Sequence, residues 1–114
     1  MLNKIIESIK NAPVMKTLAN SQVADLIADA TTMYNAGFDA LKDGTVIACQ
    51  NNTVIIKQGN CYVRQEMCDN FGIRSGKLTT DAKRVIETKE IPEDRKTVYL
   101  AQAIITKYYT IKEA

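Results

Sequence analysis

Histidine and tryptophan are both absent from this chain, and proline and cysteine are scarce, at two and three residues. Without an imidazole, no Cys-His or Ser-His nucleophilic pair can form within the chain, and histidine-based metal sites are excluded with it. The three cysteines, Cys49, Cys61 and Cys68, are an odd number at spacings of twelve and seven. That pattern fits neither a disulfide framework nor the paired C-x-x-C of a zinc site. It predicts free thiols in a reducing compartment, with Cys49 and Cys61 acting as small core residues.

Long apolar runs are missing too. Nothing approaches the ~20 residues that cross a bilayer, and Lys4, Lys10 and Lys16 interrupt the N-terminal segment, which lacks the continuous apolar stretch of a secretory signal. The expected location is the cytoplasm, with no membrane partner. Charge of one sign is equally lacking: fifteen basic and thirteen acidic side chains leave a formal net charge of +2, spread so that no third of the chain carries a strong basic field for nucleic acid.

What remains is a chain of 114 residues, 46% hydrophobic and 25% charged, sized for a single domain over residues 1–114 with one core. Leu2, Ile5, Ile6 and Ile9 recur at the spacing of one helix face and predict a short helix ending near Asn11, before Pro13. Ser21 is placed to cap a long second helix running to Lys42 or Asp43, with Gly44 just past its end. Gly37 falls within the apolar stripe of that helix, which predicts a neighbour packed closely against it.

The period then changes. Residues 45–50, 53–58 and 61–67 are β-branched runs separated by Asn51-Asn52 and Gly59-Asn60, each suited to a two-residue hairpin turn. They predict a three-stranded antiparallel meander pairing Ile47 with Ile56, Cys49 with Val54, Ile56 with Val63 and Gln58 with Cys61. One face would carry Ile47, Cys49, Val54, Ile56, Cys61 and Val63, and the other Val46, Ala48, Ile55, Lys57, Tyr62 and Arg64. Residues 68–78, with two glycines and no period, read as the longest loop.

Two further helices complete the expectation. One runs from Thr79 or Thr80 to Glu90, and the last opens at Pro92, with Glu93 and Asp94 at its positive end and Lys107 and Lys112 at its negative one. The apolar residues of the last helix span roughly 180° of arc, wider than one packing partner needs. It should therefore touch two neighbours, both from its own chain or one from a second copy. The fold class is α+β: two N-terminal helices, a three-stranded antiparallel β-meander and two C-terminal helices packed on one sheet face.

Few constellations carry chemistry. Gly72 to Thr79 resembles a phosphate loop in composition, but three residues separate its glycines where a Walker motif has four, and Leu78 rather than Ser or Thr follows Lys77. Asp25 with Asp29, and Asp39 with Asp43, sit one helical turn apart on what reads as a solvated helix face. Cys68 has no base to activate it. No catalytic set, cofactor or metal site is expected, and the chain reads as non-enzymatic.

By elimination, the expected function is a cytoplasmic protein–protein interaction module, such as an adaptor, an inhibitor or a regulatory subunit. Small self-contained proteins of this kind are also what phage and mobile elements encode to block a host enzyme. Phe71, Arg74 and Lys77, on the long loop, are the expected partner-binding residues. The alternative is a nucleic-acid-binding regulator using residues 71–89, where Lys83 and Arg84 would contact phosphates and Tyr62 would stack on a base. The outer strands of a meander leave backbone groups unpaired. Together with the broad arc of the last helix, this predicts a homodimer joined through that helix or a sheet edge.

Overall fold

In the computed structural model, which describes residues 1–111, the chain is α+β, with three α-helices, a four-stranded antiparallel sheet and a separate two-stranded hairpin. The helices are α1 (Leu2–Lys10), α2 (Asn20–Ala36) and α3 (Lys96–Tyr109). The strands are β1 (Val46–Gln50), β2 (Thr53–Gln58), β3 (Cys61–Glu66), β4 (Ile73–Arg74), β5 (Lys77–Leu78) and β6 (Arg84–Glu90). The large sheet has the order β1-β2-β3-β6, and β4 pairs only with β5.

The first helix forms where its apolar spacing places it, with Ile5 and Ile9 buried. The second begins earlier and ends sooner than expected. Ala19, not Ser21, stands at its N-cap, and the Gln22 side chain accepts the Ala19 N–H at 3.0 Å. Gly37 stops it: at φ +89 the backbone leaves the helix, and its N–H donates to the Met33 carbonyl. No atom lies within 4 Å of where a Cβ on Gly37 would sit, so this glycine serves a positive φ that ends the helix and not a close approach. Asp39 and Asp43 consequently lie off the helix and are separate. Asp39 pairs with Lys96, while Asp43 accepts the Gly59 N–H at 2.8 Å and the Lys57 ammonium at 3.4 Å. The Gly59 hydrogen bond and Lys57 hold the Asp43 carboxyl below its ordinary value.

The meander is present with both short turns, Asn51 at φ +55 and Gly59 at φ +58. Cys49 pairs with Val54, Ile56 with Val63 and Gln58 with Cys61 as expected, but Val46, not Ile47, stands opposite Ile56. A bulge between Val46 and Ala48 places Ile47 as the extra residue. The slip corrects the faces. Ile47, Ala48, Ile55 and Tyr62 lie under the helices, whereas Val46, Val54, Ile56 and Val63 form a second buried cluster with Met67.

That second cluster is covered by the segment expected to be an open loop. Phe71, Ile73, Leu78 and Ala82 pack against it, and β4 and β5 form a short hairpin whose turn holds Ser75 at φ +49 and Gly76 at φ +77. The hairpin also shields the β1 edge: Thr45 bridges Lys77, and the Val46 N–H donates to the Gly76 carbonyl at 2.7 Å. Its tip is tied to the end of α3, where Thr110 accepts the Ser75 N–H on its carbonyl and the Gly76 N–H on its hydroxyl. All three cysteines are free thiols as expected, but the core role of two of them is corrected. Cys49 is exposed and Cys61 half-buried, so neither is the fully buried core residue expected, and Cys68 is exposed; local burial nonetheless pushes the Cys49 thiol up.

No helix forms over residues 79–90; residues 84–90 are instead β6. Val85, Ile86 and Thr88 are β-branched, and the edge of β3 offered a ladder that an isolated amphipathic segment could not match. Lys83 and Glu87, at helical i, i+4 spacing in the sequence, find separate cross-strand partners: Lys83 meets Glu66 at 3.9 Å and Glu87 meets Arg64 at 3.3 Å.

The broad apolar arc of α3 is satisfied within its own chain, against β1 on one side and α1 and α2 on the other. Lys112, expected to balance its C-terminal end, lies outside the described residues. Within this core Tyr108 is 1% exposed and its hydroxyl makes no hydrogen bond to the described residues. Burial, with the Asp29 charge nearby, pushes its pKa up to about 12. A phenol that is harder to ionise when folded contributes stability below its unfolded pKa near 10 and loses it as the pH climbs through 12. The expected slope is about 1.4 kcal/mol per pH unit in that window. Tyr108→Phe should leave stability near pH 7 equal or higher, because an unsatisfied hydroxyl is removed, and should flatten the alkaline limb. Urea unfolding of both proteins at neutral and alkaline pH checks this; equal alkaline slopes would contradict it.

Candidate functional site

The β6 edge is the most open part of the sheet. β6 lies at the end of the strand order, and its outer backbone groups have no strand partner among the described residues. Its side chains are almost all exposed, including Val85 at 55% and Ile86 at 37%. Ile86 is the extra residue of a second bulge, because Arg64 pairs with Glu87 and Gln65 with Val85. Bulges and charged side chains are devices that keep an edge from indiscriminate pairing, so this edge is both available and guarded.

The charges around it are organised across β3. The Arg84 guanidinium donates to Glu66 at 2.7 Å, and that bond, assisted by Lys83, holds the Glu66 carboxyl below its ordinary value. Arg64 and Lys89 flank Glu87, which also lies 3.5 Å from the Tyr62 hydroxyl. Exposed ion pairs of this kind contribute little to stability, typically ~0–1 kcal/mol. They do fix where charge stands along the edge.

The residues singled out from the sequence fall on three parts of the fold. Phe71 is half-buried and packs on the second sheet cluster. Arg74 and Lys77 are exposed on the hairpin, beside its turn. Tyr62 lies on the helix-covered face, its ring 6.0 Å from that of Tyr99. Lys83 and Arg84 stand at the β6 end of the sheet, paired with Glu66. Arg74 and Lys77 stand opposite each other across the hairpin, and the β6 edge itself was missed because its residues read as a helix. The run Val85-Ile86 followed by Thr88 was the available strand signal.

Comparison with protein-family models, curated proteins and solved structures finds no match to this chain. The chemistry of the surface therefore has to carry the functional reading. No helix among the described residues is long and apolar enough to cross a membrane.

Proposed function

We propose that this chain is a cytoplasmic, non-enzymatic protein-binding module, working as an adaptor, inhibitor or regulatory subunit, and that it receives its partner as an added strand along β6. The observation that carries this reading is the seven-residue edge with Val85 and Ile86 exposed on it. Strand addition draws affinity from main-chain hydrogen bonds and specificity from side chains on alternate faces. The absence of histidine from the sequence supports binding over catalysis.

The test is affinity capture from the native cell, with nuclease, using wild type and the double variant Val85→Lys/Ile86→Lys. Both positions are exposed, so each change should alter stability by no more than about 0.5 kcal/mol. The expected result is a nuclease-resistant protein partner held by wild type and lost by the variant. Retention by the variant would place the binding surface elsewhere, and capture that vanished on nuclease treatment would favour nucleic acid.

A second copy of the chain is also a proposed occupant of this edge, and the register favours it. In a two-fold antiparallel pairing centred on Glu87, Arg84 faces Glu90 of the other copy twice over, and Val85 faces Lys89. Glu87 would meet its own equivalent, with its charge offset by Arg64 and Lys89. Light scattering at tens of micromolar should then give a dimer mass for wild type and a monomer mass for the double variant. A monomer mass for both would exclude self-pairing.

A further inference from the structure

Away from β6, on the β1 side of the sheet, a cleft of about 360 Å³ opens between the end of α2, the turn that follows it and the tip of the β4–β5 hairpin. That volume lies within the range of small-molecule sites. Its floor is apolar, with Met33, Ala36 and Leu41. Three lysines, Lys42, Lys77 and Lys107, line it, and no acidic side chain among the described residues does. None of the three forms an ion pair among the described residues, whereas Lys57, Lys83, Lys89 and Lys96 all do.

Lys107 is the most constrained of them. It is half-buried, its Cα and Cβ pack against Gly76 of the hairpin, and its ammonium has the Met33 thioether at 3.6 Å and the Tyr108 ring centroid at 5.7 Å. A thioether is a weak acceptor for a group with three donors. An anion entering the cleft would meet this ammonium together with two further like charges.

We propose that this cleft binds a small amphipathic organic anion. Its phosphate or carboxylate head would meet the lysines, and its apolar body would lie on Met33, Ala36 and Leu41. Lysine serves such a head as a point charge, without the bidentate geometry of arginine. The site is independent of β6, so the protein-binding reading stands or falls separately.

The probe is 1-anilinonaphthalene-8-sulfonate, an aromatic body with one anionic head, followed by fluorescence and displaced by octyl phosphate, octanoate, octylammonium, octanol or inorganic phosphate. The expected result is saturable one-to-one binding, displaced by octyl phosphate and octanoate and not by octylammonium. The stronger of those two competitors identifies the head group. Lys77→Gln/Lys107→Gln should weaken probe binding at least about tenfold, since each charged contact removed is worth a substantial part of the affinity. Lys42→Gln/Lys77→Gln changes only exposed side chains and serves as the variant whose fold is not at risk.

Lack of saturation, displacement by octylammonium or octanol as strong as by the anions, or unchanged binding in both folded variants would overturn the proposal. Inorganic phosphate competing as well as octyl phosphate would overturn the amphipathic assignment. Displacement of the probe by a single-stranded oligonucleotide at low salt, with neither octyl anion competing, would reassign the lysines to a phosphodiester backbone.

Discussion

Ile104→Ala is expected to lower stability by roughly 2–5 kcal/mol, the range for removing a fully buried branched side chain whose cavity collapses only in part. Ile104 is 0% exposed at the centre of α3 and belongs to the same cluster as Ile5, Ile9 and Ile47. α3 is the element on which the helix layer converges, since it packs on β1, α1 and α2 together. A cavity there is bounded by a sheet and two helices and cannot close by the movement of one of them. In thermal unfolding the loss should appear as a fall of about 4 °C or more for each kcal/mol. Val85→Ala, at a position 55% exposed, should remain within about 0.5 kcal/mol of wild type. A small effect at Ile104 would mean that α3 is not held between these layers.

The sequence announces elements whose signal is local. Leu2, Ile5, Ile6 and Ile9 place α1 because a helix face needs only its own residues to be recognised. Asn51 and Gly59 mark the two tight turns because positive φ is a property of the residue itself. The errors occur where the deciding partner is distant in sequence. Val46 and Ile47 are both apolar and each suits either face, so nothing local reveals which one the bulge makes the extra residue; packing of two separate clusters on opposite sides of the sheet decides it. Lys83, Val85, Ile86 and Glu87 satisfy a short helix as readily as a strand until the edge of β3 is available. The candidate sites follow the same rule. Lys42, Lys77 and Lys107 lie thirty or more residues from one another, and only the docking of the hairpin against α3 brings them to one cleft.

That docking can be broken at one residue. Gly76 sits at φ +77, and a Cβ added there would lie 3.2 Å from the Lys107 Cα, a backbone atom that cannot rotate away. A β-branched side chain adds a steric penalty at positive φ to overpacking against α3, so Gly76→Val is expected to cost on the order of 2–4 kcal/mol. The loss should be directional. The Gly76 N–H would leave the Thr110 hydroxyl, now at 2.8 Å, and the Gly76 carbonyl would leave the Val46 N–H. Residues 68–83 should then be cut by protease at concentrations that spare the wild type, exposing Val54, Ile56 and Val63 while the helix layer holds. Thr110→Val removes the same acceptor from the other side and should cost about 1–2 kcal/mol by leaving a partly buried donor unpaired. Because both changes act on one hydrogen bond, their double variant should lose less than the sum. Strict additivity, or a Gly76→Val protein as resistant to protease as wild type, would show that the hairpin is not anchored through this contact. A released hairpin also removes one wall of the lysine cleft. Because Lys77 leaves with it, Gly76→Val should weaken the saturable one-to-one binding that octyl phosphate and octanoate displace, while the uncovered apolar cluster adds only non-saturating probe fluorescence.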